Sequence, residues 1–124
     1  MTKILIAEDD RFISSAYKMK LVKEGFDVEL AFDGEEAIAK ALSFSPTIIL
    51  LDLIMPKKDG FEVLKELKDN PQLKKIPVIV SSNLGQKEDK DKAVALGAIG
   101  YFVKSDISLA DLLETIKKSV KNTA

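Results

Sequence analysis

A doubly wound α/β sandwich, with five parallel strands between helices on both faces, is the fold this sequence predicts. Three observations predict it. Short apolar runs alternate with helical patterns five times along the chain. Those runs lack polar alternation, as strands buried on both faces do. The length is 124 residues, which suits one domain and falls well short of the roughly 250 residues of a (β/α)₈ barrel.

Each element follows in order. Ile4-Leu5-Ile6-Ala7 is a continuous apolar run that ends in Glu8-Asp9-Asp10. Arg11 to Glu24 reads as a helix, with Phe12, Ala16, Met19 and Val22 recurring at three- and four-residue steps and Gly25 as the stop. Val28 to Ala31 is a short strand, and Asp33-Gly34-Glu35-Glu36 opens a second helix with capping-box spacing through Ala37, Ile38, Ala41 and Leu42. Ser45-Pro46 breaks it, and Thr47-Ile48-Ile49-Leu50-Leu51 is the most strand-like segment of the chain, running straight into Asp52. Phe61, Val63, Leu64 and Leu67 mark the third helix, before Pro71. Ile76 to Val80 is a fourth strand leading into Ser81-Ser82-Asn83, and the charge-rich stretch from Gln86 to Leu96 is an exposed helix closed by Gly97. Ile99 to Val103 is a fifth strand ending at Lys104, and Ser108-Leu109-Ala110-Asp111 caps a last helix reaching about Val120. Right-handed crossovers favour the flavodoxin-like strand order 2-1-3-4-5, with residues 1–124 as a single domain.

Composition narrows the chemistry. Lys+Arg is 19 and Asp+Glu 20, a net charge of -1, and Arg11 is the only arginine, so direct binding to nucleic acid is not expected. Cysteine and histidine are both absent. Thiolate nucleophiles, Cys/His zinc sites, disulfides and histidine bases are thereby excluded, and any site must use carboxylates, hydroxyls, lysines and backbone. An acidic cluster already at residue 8 argues against a signal peptide, and no apolar run approaches 18 residues. The expectation is a cytoplasmic protein without membrane contact.

In an open parallel sheet, ligands bind beyond the carboxyl ends of the strands. Here the first, third, fourth and fifth strands end in Glu8-Asp9, Asp52, Ser82 and Lys104. Singly, each residue has a plain structural explanation: Asp52 as a loop cap, Ser82 as turn chemistry, Lys104 as a solvated lysine, and Asp10 as the cap of the first helix. Their convergence on one rim is what those explanations leave out. Carboxylates about 4 Å apart repel by roughly 4 kcal/mol per pair at an effective dielectric near 20. Such a cluster raises its pKa values or binds a cation, and with few oxygen ligands and room for water Mg²⁺ is the natural occupant.

Across essentially its whole length the chain resembles the response-regulator receiver domain of two-component signalling. Glu8 and Asp9 match that family's acidic pair, Asp52 with Met55-Pro56 and Asp59-Gly60 its phosphoacceptor strand and following loop, Ser82 its hydroxyl position, Lys104 its lysine, and Tyr101 its aromatic switch position. The resemblance implies that Asp52 accepts a phosphoryl group from a histidine kinase, a histidine phosphotransfer protein or a small donor such as acetyl phosphate. It implies Mg²⁺ held by Asp9, Asp52 and the Ile54 backbone carbonyl, with Glu8 acting through water. Lys104 would pair with one phosphoryl oxygen and Ser82 with another. Movement of Ser82 would let Tyr101 swing inward, altering a face of the fourth helix, fifth strand and fifth helix that regulates a downstream protein.

So read, the chain is a stand-alone switch, monomeric when unphosphorylated and not a turnover enzyme. The competing reading is a phosphorylation-independent interaction module on the same fold, against which the intact Asp52, Ser82 and Lys104 set argues. Two residues depart from the family pattern. Asn83 follows Ser82 where a small residue is common, with an amide that could shield the phosphoryl group or orient a water. Ser105 follows Lys104 where proline is common.

Overall fold

The computed structural model describes residues 2–83, 86–104 and 108–123; Ser105 lies outside the described residues. Strands and helices alternate: β1 (Lys3–Ala7), α1 (Arg11–Lys23), β2 (Asp27–Ala31), α2 (Gly34–Phe44), β3 (Ile48–Leu51), α3 (Gly60–Asp69), β4 (Val78–Ser82), α4 (Lys87–Ala95), β5 (Gly100–Val103) and α5 (Leu109–Thr123). All four strand pairings are parallel, in the order β2-β1-β3-β4-β5, as the sequence predicts. Because successive strand residues face opposite ways, the sheet feeds two cores. Leu5, Ala7, Ile49, Leu51, Val78 and Val80 pack with Ala37, Ala41, Val63, Leu64 and Ala93 beneath α2, α3 and α4. Ile4, Ile6, Ile48, Leu50 and Ile79 pack with Leu21, Leu112 and Ile116 beneath α1 and α5.

Local chemistry sets the ends. Asp10 caps α1, accepting from the backbone N–H groups of Phe12 and Ile13 at 2.9 and 3.0 Å. Asp33 caps α2 through the Glu36 N–H at 2.8 Å, but Glu36 answers at the N–H of Phe32, one residue outside a standard capping box. Two strands begin later than their apolar runs suggest. Pro77 has no N–H to give a ladder, so β4 begins at Val78, while Ile99 is 55% exposed and β5 begins at Gly100.

The apolar spacing in α1 misleads. Phe12, Met19 and Val22 are 86%, 67% and 50% exposed, and Ala16 is also on the surface. The face turned inward carries Ser14 and Leu21, with Tyr17 half-buried beside them. Two small or polar residues interrupt that face, so its periodicity is weaker in the sequence than that of the outward stripe. Cores respond to deleted volume and surfaces do not. Leu21→Ala is therefore expected to cost about 2–4 kcal/mol in urea unfolding, and Phe12→Ala less than about 0.5 kcal/mol. The opposite order would restore the predicted face.

Candidate functional site

Two strands, β1 and β3, deliver the acidic rim. The β1–β2 and β1–β3 ladders continue past the strand ends, the Glu8 N–H donating to the Ala31 carbonyl at 3.0 Å and the Asp52 N–H to the Ala7 carbonyl at 2.9 Å. These bonds hold the Glu8 and Asp52 backbones side by side. Although carboxylates, both are buried, at 3% and 6% exposure, while Asp9 and Asp10 stay on the surface. One oxygen each from Glu8, Asp9 and Asp52 lies within 4.8 Å of the others. From β5, Lys104 reaches into this group, bonding Glu8 Oε2 and standing 3.4 Å from Asp52 Oδ2. Glu8, Asp9, Asp10, Ile13, Asp52, Ile54, Asn83 and Lys104 line the resulting open cleft of about 310 Å³.

A second cleft of about 330 Å³, between the end of α2 and the α3–β4 connection, is lined by Ala41, Leu42, Ser45, Pro46, Gln72, Leu73 and Ile76. None of those side chains ionises, so comparable size gives it no comparable chemistry.

Burial dominates the electrostatics. It pushes the Glu8 carboxyl up to about 7; the Lys104 bond opposes that rise and the Asp52 charge adds to it. Asp52 is raised for the same first reason, against the pull of Lys104 and of the Ile54 N–H bonded to it. Burial alone would lower the Lys104 ammonium, but its two carboxylate partners more than offset that and leave it raised. Fully ionised, three carboxylates facing one ammonium leave a charge of about -2 in a half-dry cleft, which a divalent cation neutralises. Oxygen donors at this spacing fit Mg²⁺.

The pH dependence follows in sign. Folding raises the Glu8 carboxyl from 4.5 to about 7, so the folded chain holds a proton there that the unfolded chain releases. That contribution is complete below about 4.5 and fades as pH rises through 7. Metal-free protein is therefore expected to lose on the order of 1–3 kcal/mol between pH 5 and 8. A cation favours the ionised carboxylates, so saturating Mg²⁺ should flatten the slope, and Mg²⁺ affinity should itself rise over pH 6–8. Thermal unfolding at a series of pH values, with and without Mg²⁺, checks both.

The remaining predicted residues sit one layer away. Ser82 is fully buried at the end of β4 and lies outside the cleft lining. On the same face of the sheet, one strand over, Tyr101 shares a side-chain hydrogen bond with it. Burial, then the Asp89 charge, raises the Tyr101 hydroxyl, and the Ser82 bond opposes this. Tyr101 is half-buried there, beside Ser82.

Sequence reasoning did not single out the packing behind Asp52. A Cβ on Gly60 would fall 2.4 Å from the Asp52 carbonyl oxygen and 2.5 Å from Leu53 Cα, and one on Gly34 would fall 2.3 Å from the Lys58 carbonyl oxygen. Both helix N-termini press directly on the loop that follows Asp52.

No helix among the described residues is long and apolar enough to cross a membrane. Residues 4–117 match the family model of the response regulator receiver domain. The DNA-binding dual master transcriptional regulator RpaA of Synechocystis is 35% identical over 99% of this chain and 51% of its own length. The chain therefore spans about half of that relative. The solved Francisella response regulator 1452 receiver domain superposes with a TM-score of 0.90 at 31% identity, covering 100% of both chains. The Mn²⁺-bound form of response regulator Rcp1 gives a TM-score of 0.80 at 33% identity, over 95% of this chain and 91% of that one. Strand order, the acidic cleft closed by Lys104 and a family match over nearly the whole length agree: this chain belongs to the response regulator receiver domains of two-component systems.

Proposed function

We propose that the protein is a signalling switch operated by phosphorylation of Asp52, with no external substrate to turn over. The observation that carries this reading is the buried Asp52 carboxylate, grouped with Glu8 and Asp9 in the cleft and 3.4 Å from the Lys104 ammonium. One Asp52 oxygen attacks the phosphorus of a phosphohistidine in a kinase or phosphotransfer protein, or of acetyl phosphate. The new O–P bond forms as the P–N or P–O bond to the leaving group breaks. Asp9, Asp52 and the Ile54 carbonyl would hold Mg²⁺, with Glu8 acting through water, and the ion would supply charge to offset that on the transferring group. The solved Mn²⁺-bound form of Rcp1, on the same fold, supports divalent-ion binding as part of this reading. Lys104 leaves Asp52 to meet a phosphoryl oxygen.

Signalling then requires a contact that differs between the two states. Ser82 supplies it, exchanging Tyr101 for a phosphoryl oxygen and freeing Tyr101 to change the α4–β5–α5 face toward a downstream protein. Ser82→Ala is expected to accept phosphoryl nearly normally while roughly halving the amide shift changes at residues 99–104 and 108–112 on adding beryllofluoride, a phosphoryl mimic. Full-sized changes in Ser82→Ala would disconnect the hydroxyl from the tyrosine.

The reading as a whole is tested by incubation with acetyl phosphate and Mg²⁺. The expected product carries one acid-stable, base-labile phosphoryl group, absent when the metal is chelated. No label, or a base-stable label, refutes a phosphoaspartate.

A further inference from the structure

The loop after Asp52 is held from two sides. On one side it is tied to α3, the Gly60 N–H donating to the Leu53 carbonyl at 2.8 Å. From Ile54 to Lys58, the backbone hydrogen bonds among the described residues both end on the Pro56 carbonyl. They come from the N–H groups of Gly34 at 3.2 Å and Lys58 at 2.8 Å. The turn they close is strained. Lys57 takes a φ of 68°, in the left-handed region that glycine enters freely and a residue with a Cβ resists. Nothing in the chemistry of lysine favours that conformation, so the surroundings must impose it. Lys57 Nζ stands 3.6 Å from Asp33 Oδ2 and 3.8 Å from Glu35 Oε2, both at the N-terminus of α2. The Glu36 N–H bond and the Lys57 charge both favour the ionised form of Asp33. The ion pairs and the Gly34–Pro56 bond thus fasten the same two segments together.

Resting on the Mg²⁺ site of the reading above, we propose that Lys57 is a positioning residue for the metal. Its pairing with Asp33 and Glu35 holds the strained turn, and the turn fixes the backbone of Ile54, whose carbonyl would be a ligand. Without the pairs the turn opens part of the time, and affinity for the ion falls with the fraction still closed. This action is opposite in sign to plain electrostatics. Removing a cation from beside an acidic cleft relieves repulsion of Mg²⁺ and by itself tightens binding.

Three variants at this exposed residue separate the effects. Lys57→Met loses the charge and keeps the strain. Lys57→Asn loses the charge, but asparagine tolerates the left-handed region. Lys57→Arg keeps the charge. Mg²⁺ is titrated into the full chain and followed by amide NMR, and hydrogen exchange of the Gly34 amide is measured in metal-free protein. The expected Kd for Mg²⁺ is about threefold to tenfold higher in Lys57→Met, and within about twofold of the unmutated chain in Lys57→Asn and Lys57→Arg. Gly34 exchange should quicken in Lys57→Met alone. Equal or tighter Mg²⁺ binding in Lys57→Met overturns the inference, and so does an equal loss in Lys57→Met and Lys57→Asn. Absence of saturable Mg²⁺ binding in the unmutated chain is a distinct result, which refutes the metal site of the reading above and this inference with it.

Discussion

Asp52→Asn is expected to abolish phosphoryl acceptance and, in metal-free protein at pH 8, to raise stability. The amide nitrogen cannot attack phosphorus, and the amide oxygen is a far weaker nucleophile and metal ligand than a carboxylate. Phosphoryl incorporation should fall to background. The stability change has the opposite sign because Asp52 is a buried carboxylate whose pKa folding raises. At pH 8 it is ionised at a cost the unfolded chain does not bear, and that cost fades as pH falls and the carboxyl is protonated. With the charge removed, Lys104 keeps its bond to Glu8, and one ammonium faces one buried carboxylate. The gain should be present at pH 8 and smaller at pH 5. A loss of stability at pH 8 would mean that Lys104 needs both partners.

Gly60→Ala should be the most damaging small substitution near the site. The added carbon would sit 2.4 and 2.5 Å from the backbone of Asp52 and Leu53, and no rotamer change relieves a backbone clash. The Gly60 N–H also donates to the Leu53 carbonyl at 2.8 Å, so α3 cannot retreat without breaking that bond. The expected cost is about 3 kcal/mol in denaturant unfolding. Because the clash displaces Asp52, the proposed nucleophile, folded Gly60→Ala should also take phosphoryl from acetyl phosphate at least about tenfold more slowly. Normal stability and rate together would show that the contact is not as tight as this packing.

Most of the fold was legible because its signals are strong and local. Unalternating runs such as Ile48–Leu51 admit little but a strand covered on both faces, and Asp10, Asp33, Asp59 and Ser108 each cap the helix they precede. The site was legible for the same reason: each chemical residue stands directly at the end of an apolar strand, so topology alone brings Glu8, Asp9, Asp52 and Lys104 to one rim. Three things were not. The inward face of α1 was misread because Ser14 and Tyr17 make a poor apolar stripe, while Phe12, Met19 and Val22 make a good one on the outside. The Ser82–Tyr101 bond was missed because it depends on a side-chain rotamer across two strands, which periodicity does not encode. Gly60 showed only as a loop residue, since its importance lies in the backbone it touches rather than in its own conformation.

Asp52 is the proposed phosphoryl acceptor, and borohydride trapping tests that assignment most directly. The protein is phosphorylated with acetyl phosphate and Mg²⁺, reduced, digested and sequenced by mass spectrometry. Reduction of an aspartyl phosphate leaves homoserine where the aspartate stood. The expected result is homoserine at position 52 and nowhere else, lost when Mg²⁺ is chelated. Homoserine at Asp9 or Asp10, or a stable phosphate on Ser81 or Ser82 with position 52 unchanged, would contradict it.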